Sequence, residues 1–195
     1  MWTSKKFRAF VVASAIAVGA SGLAHAASPV PGKPGAANIV EIALAVNKSD
    51  QEFDYLLRAA TCPELGGAVV ALLSGKDRYT LFAPTDAAFE KLLGVLEPGV
   101  APDPEMLCDT SVLPTATLFN VLAYHVTEGR RFSNSVFNQR STKMIEMLND
   151  QYIVTNPSGT ITDIAGKTAT PVKGFINVNA SNGVIHVIDH VLLPF

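Results

Sequence analysis

Residues 79–93 read YTLFAPTDAAFEKLL. Tyr79 to Ala83 alternates as a β-strand, and Pro84, which has no N–H to give a ladder, ends it. A helix is expected from Thr85 or Asp86. The Thr85 hydroxyl can cap the free N–H groups of the first turn, and Asp86 sits where the helix dipole favours an anion. Phe89, Leu92 and Leu93 then fall on the face that should enter the core. On local physics alone this is a well-capped strand-to-helix turn.

Upstream of this turn the chain reads as helical. Asn38 opens a helix with Glu41 as its capping-box partner, and Ile39, Ile42, Ala43 and Val46 share one face. Ser49 and Glu52 repeat the signature, predicting a second helix with Phe53, Leu56, Leu57 and Ala60 on its apolar face. A third is expected over roughly Gly67 to Leu73. Asp103-Pro104 marks another helix start, since proline at the first helical position loses nothing. TATLFNVLA, residues 115–123, is a further helix.

Downstream the pattern changes. From Arg131 the chain shows short β-prone runs: FSNSVF, KMIEML, QYIVT, TITDI, FINVNA and GVIHVIDHV. TNPSGT, residues 155–160, has hairpin chemistry. KMIEML also suits a helix on propensity. Helices first and strands later predict an α+β domain.

Three blocks together carry a resemblance. YTLFAPTDAAFEKL resembles the first signature block of the fasciclin (FAS1) domain family, VLAYHVTEG its central Tyr-His motif, here Tyr124-His125, and NGVIHVIDHVLLP its second signature block. They occur in the family's order, and the resemblance runs from about Asn38 to the C-terminus. It implies a FAS1 fold, a β-wedge or sandwich-like sheet packed with several short helices, in a single-domain exported member of bacterial type. It further implies an adhesion or matrix-interaction module that is not an enzyme. The motif positions carried over are Thr85, Asp86, Tyr124, His125, Asn182, Gly183, His186 and Asp189, in structural or partner-contact roles. Two departures stand out. Asn177-Val178 occupies the place of the Asp-Ile type element of integrin-binding animal members, and the spacer between Leu93 and Leu118 is longer and richer in proline.

The N-terminus is expected to be removed. Lys5, Lys6 and Arg8 precede an apolar run from Ala9 to Ala20, and Ala24-His25-Ala26 fits a small-x-small cleavage site. Residues 1–26 therefore read as a secretory signal peptide, with an apolar core too short for a stable membrane span. Residues 27–37 read as a Pro/Gly-rich flexible tether and 38–195 as the domain, placed in the periplasm or outside the cell. Without Lys5, Lys6 and Arg8, 12 basic residues face 17 acidic ones, a net charge near −5 with no basic cluster beyond Arg130-Arg131. A nucleic-acid partner has little electrostatic support, and no stable membrane insertion is expected.

Cys62 and Cys108 are the only cysteines. In an exported chain such a pair reads as a disulfide in preference to a metal site or a nucleophile.

The cluster His186, Asp189 and His190 invites a metal reading. On a strand, however, residues four apart share a face about 13 Å apart at about 3.3 Å per residue, too far to share a Zn²⁺ with bonds of about 2 Å. His125, expected on a strand opposite Tyr124, is assigned a hydrogen bond near the Thr85/Asp86 turn. No G-x-S-x-G elbow or phosphate loop appears, so no catalytic residue, metal or cofactor is assigned. The expected partner is a protein or glycan of a cell surface or matrix. The alternative is a carrier holding a small apolar ligand, lipid or pigment, in a groove between helices and sheet. Exposed apolar positions on LGGAVVALL or around FSNSVF would favour it.

Overall fold

The computed structural model describes residues 37–137 and 141–195. The expected signal peptide, and all of the tether except Ala37, lie outside the described residues. In chain order the elements are α1 (Ile39–Asp50), α2 (Asp54–Ala60), a 3₁₀ turn (Pro63–Leu65), α3 (Ala68–Ser74), β1 (Tyr79–Pro84) and α4 (Asp86–Leu96). A second 3₁₀ segment (Pro104–Cys108), α5 (Thr115–Ala123), β2 (Val126–Glu128) and the short α6 (Ser133–Val136) follow. The chain finishes with β3 (Lys143–Glu146), β4 (Tyr152–Thr155), β5 (Ile161–Thr162), β6 (Thr168–Ala169), β7 (Val178–Ala180) and β8 (Gly183–Ile188).

The strands form two four-stranded sheets, ordered β2-β1-β8-β7 and β3-β4-β5-β6. In the first, β1 and β8 run parallel at the centre, with Tyr79 opposite Gly183 and Pro84 opposite Ile188. The stretches around residues 79–93 and 182–194 are thus neighbours. Every residue of both strands is buried, which is why, Thr80 and His186 apart, their sequences are apolar on both faces.

Alternation sends Leu81, Ala83, Ile185 and Val187 to a core shared with Ile39, Leu56, Phe89 and Leu118 of the helices. Phe82 and Ile188 turn the other way, to a second core with Tyr124, Ile145, Ile153 and Ile161. The first sheet is therefore the middle layer, with helices on one face and the second sheet on the other. The α+β expectation and the sandwich-like packing both hold.

Several local expectations need correction. Ser49 does not cap a second helix: α1 continues to Asp50, and the Ser49 hydroxyl donates to Val46 O. The next helix starts at Asp54, behind Phe53, which supplies no side-chain cap. FSNSVF contains α6 and no strand, since Ser135, Val136 and Phe137 N–H groups turn back onto Phe132 and Ser133 carbonyls. Asp103-Pro104 opens a 3₁₀ segment, with Asp103 capping the Glu105 N–H. KMIEML resolves as β3, paired antiparallel with β4, because Ile145 opposite Ile153 buries both side chains.

Cys62 and Cys108 are disulfide-bonded, with Cα atoms 5.5 Å apart across a sequence separation of 46. The bridge ties the 3₁₀ segment to the end of α2. Beside it Arg58 donates to both Glu105 carboxylate oxygens, at 2.8 and 2.7 Å. That pair is solvent-screened, so it adds little to stability.

Candidate functional site

The motif residues converge on the two central strands. Thr85 is the N-cap of α4 and accepts the Ala88 N–H through Oγ1 at 3.2 Å. Asp86 looks away from its own helix. Its carboxylate accepts the backbone N–H groups of Tyr55 at 3.1 Å and Asp54 at 3.2 Å, capping α2 from outside. Desolvation raises its pKa, although the two backbone bonds favour the anion.

Asn182 is buried, and its amide joins three elements. Oδ1 accepts Ile39 N–H at 2.9 Å, while Nδ2 donates to Leu73 O at 2.6 Å and Gly75 O at 3.0 Å. The first turn of α1, the end of α3 and the start of β8 are thus held by one side chain. Gly183 beside it must be glycine: a Cβ there would lie 2.3 Å from Tyr79 O and 2.5 Å from Ile39 Cδ1. The Asn-Gly pair is a packing device more than a turn signal.

His125 departs from expectation. Helix α5 runs to Ala123 and Tyr124 is its C-cap, so His125 lies in the turn before β2 and not on a strand. It reaches neither Thr85 nor Asp86. Its Nδ1 contacts Val121 O at 2.7 Å, and its Nε2 accepts the Leu192 N–H at 2.9 Å. Those partners fix the neutral Nδ1–H tautomer. Burial lowers its pKa to about 4, with Val121 opposing and His190 adding to the shift.

His186 is used in the same way on the opposite face. Its Nε2 contacts Arg131 O at 2.8 Å and its Nδ1 accepts the Asn177 N–H at 3.3 Å. Phe82 stacks on the ring and Phe137 meets it edge-on. Burial again lowers the pKa. His190 is not on the same strand, because β8 ends at Ile188. Asp189 lies just past that end, and its Oδ1 accepts the Thr170 N–H at 2.7 Å. Among the described residues no three His, Cys, Asp or Glu side chains gather as a metal-holding group.

Tyr124 links the layers: its hydroxyl donates to Tyr152 O at 2.7 Å and accepts the Ile164 N–H at 3.1 Å. Asn177 holds Ser133 through its side chain, accepting the Ser133 N–H and donating to its hydroxyl. Sequence reading missed Asp163, a buried carboxylate that accepts N–H groups of Lys167 at 2.7 Å and Leu193 at 3.0 Å. The Asp-x-x-Gly spacing of Asp163 and Gly166 was the available signal. It also missed Thr80, whose hydroxyl donates to Gly129 O and accepts Arg131 N–H.

A groove of about 380 Å³ lies between α3, α5 and Leu148, lined by Leu72, Phe119 and Leu122. Leu72 and Phe119 are 37% and 48% exposed. Deeper in, Leu56, Val69, Leu122 and His125 border a pocket of only about 40 Å³. No described helix is long and apolar enough to cross a membrane.

Comparison with known proteins bears on this arrangement. The fasciclin domain family model matches residues 64–194. An uncharacterised Synechocystis protein is 33% identical over 156 residues, covering 80% of this chain and 97% of that one. Porcine transforming growth factor-beta-induced protein ig-h3 is 31% identical over 71% of this chain, which spans 17% of that longer protein. The immunogenic protein MPB70 of Mycobacterium bovis is 29% identical over 60% of this chain and 50% of its own length. Among solved structures, a FAS1 domain pair from the insect cell adhesion molecule fasciclin I superposes with a TM-score of 0.59 at 17% identity, covering 82% of this chain and 51% of that one.

Proposed function

The chain belongs to the fasciclin domain family, and on that premise we propose that it is an exported, non-enzymatic interaction module making adhesion, envelope or matrix contacts through protein or glycan surfaces. One observation carries this reading. The polar motif side chains spend their hydrogen bonds on the protein's own backbone: Asp86 on α2, Asn182 on the start of α1 and the end of α3, His125 and His186 on flanking segments. A nucleophile, a base and an oxyanion site would need such groups facing an open cleft. The adhesion role of the insect protein supports the reading by analogy of fold. We place the domain at 38–195, since Ile39, upstream of the matched segment, is fully buried and bonded to Asn182. Export rests on the N-terminal pattern of residues 1–26.

Solid-phase binding of the purified chain to cell-envelope and matrix preparations from its own source tests this. The expected result is saturable binding that Phe119→Asp weakens. Absence of saturable binding to every preparation would sink it.

A carrier of a small apolar ligand is the second reading, favoured by the α3/α5 groove and by the exposure of Leu72 and Phe132. The groove's volume falls within the roughly 300–1,000 Å³ of small-molecule sites, whereas the deeper pocket does not. Native mass spectrometry of protein from its own source separates the two readings: a co-purifying lipid or pigment supports the carrier.

A further inference from the structure

Apart from the α3/α5 groove, with which it shares no lining residue, a cleft of about 230 Å³ lies between α4 and the C-terminal segment. Its floor is apolar, built from Ala88, Leu92 and Val95 of α4 and from Val191 and Leu193. Its other three lining residues are Lys91, Lys167 and His190, and no carboxylate lines it. This grouping runs against the sign of the whole chain, whose formal net charge is −2. Among the described residues neither ammonium is paired with a carboxylate, the ion pair found being Arg58 with Glu105. Asp163, bonded to two of the lining residues, accepts the backbone N–H groups of Lys167 and Leu193. Three nitrogen groups are thus left facing an apolar trough.

We propose that this cleft binds the carboxylate end of a free, single-chain amphiphile. The acyl chain lies along Leu92, Val95 and Leu193, and the carboxylate sits among Lys91, Lys167 and His190. Three features select this chemistry. The apolar floor removes chain methylenes from water. The cations supply charge-assisted hydrogen bonds to an anion. The volume lies below the roughly 300 Å³ at which drug-sized pockets begin, which admits one short chain and excludes a two-chain lipid. The site is separate from the α3/α5 groove and does not depend on the adhesion reading.

Octanoate titrated into the ¹⁵N-labelled chain, followed by amide shifts, tests it. A small ligand on a shallow site should bind with a Kd on the order of millimolar. Saturable shifts are expected at Ala88–Val95 and Val191–Leu193. Octylamine, with the same chain and the opposite charge, should leave those amides in place. The double variant Lys91→Glu/Lys167→Glu should weaken octanoate about tenfold or more, while Lys76→Glu, a distant exposed charge change, should not. Unchanged melting temperature of the double variant shows that lost binding is not lost folding. The proposal is overturned by equal binding of octylamine, by octanoate shifts confined to the α3/α5 groove, or by binding to phosphatidylglycerol vesicles with none to free octanoate.

Discussion

Asp86 and Tyr55, 31 residues apart in sequence, are joined by a hydrogen bond of 3.1 Å from the Tyr55 N–H to the Asp86 carboxylate. The aromatic ring of Tyr55 in turn stacks on Phe89, one turn further along α4. Phe53, the N-cap of α2, offers no side-chain acceptor, so Asp86 caps one helix while sitting in the first turn of another. The first signature block therefore carries an obligation to a helix it does not belong to.

Replacing Asp86 by alanine should destabilise the domain by about 1–2 kcal/mol, the range for losing a helix cap. Asp86→Asn keeps an acceptor and should lose less. Urea unfolding of both variants measures the difference, and equal losses would show that the charge, not the acceptor, is what α2 uses.

Gly183→Ala should be among the most damaging single substitutions. The new Cβ meets backbone oxygen at 2.3 Å and cannot be relieved by a side-chain rotation, so a loss of about 3 kcal/mol or more is expected. Asn182→Ala leaves the Ile39 N–H without its partner and should lose about 1–3 kcal/mol. Thermal melts rank the two.

His125 makes stability pH-dependent with a definite sign. Its folded pKa, about 4, lies below the ordinary imidazole value of 6.5. The unfolded chain therefore takes up the proton first as pH falls. Stability is complete above about pH 6.5 and is lost progressively towards pH 4, by about 3 kcal/mol if the full shift is realised. His186, also lowered, acts in the same direction. Asp86 and Glu52, whose pKa values burial raises, oppose this at lower pH, since each binds its proton more tightly when folded. Urea midpoints of wild type and His125→Gln at pH 7.5, 6 and 5 should converge on acidification.

Reducing the Cys62–Cys108 bridge, or replacing both cysteines by serine, should destabilise by up to about 4 kcal/mol for a loop of this length in the chain-entropy model. Unfolding with and without reductant measures it, and a double-serine variant indifferent to reductant isolates the bridge.

Tyr124→Phe removes the hydroxyl shared by Tyr152 O and the Ile164 N–H. A loss of about 1–3 kcal/mol is expected, with faster amide exchange at Ile164 as the local readout.

Much of the framework was legible because it rests on local rules. The β1-to-α4 turn announces itself through Pro84 and the Thr85 cap. The Asn38–Glu41 capping box lies three residues apart and is realised as both hydrogen bonds. The Asn156–Gly159 turn between β4 and β5 follows from residue type, Gly159 adopting a φ of +79°. Where the reading failed, a distant partner had decided. Ser49 and Glu52 looked like a capping box, yet α1 runs past Ser49 and Asp86 caps the next helix. FSNSVF looked β-prone, yet its N–H groups close a helical turn that buries Val136.

The fold class and the two central strands are readable from residue order alone, because β1 and β8 are apolar except for Thr80 and His186 and are bounded by recognisable caps and turns. How the polar residues around them are used follows from long-range packing instead. Whether His125 meets Thr85 or Leu192, and whether Asn182 turns a corner or ties three elements together, depends on which backbone groups arrive unpaired from far along the chain. A buried imidazole or amide must satisfy those groups or be destabilising. Local pattern fixes that a partner is needed; the packing of distant elements chooses which.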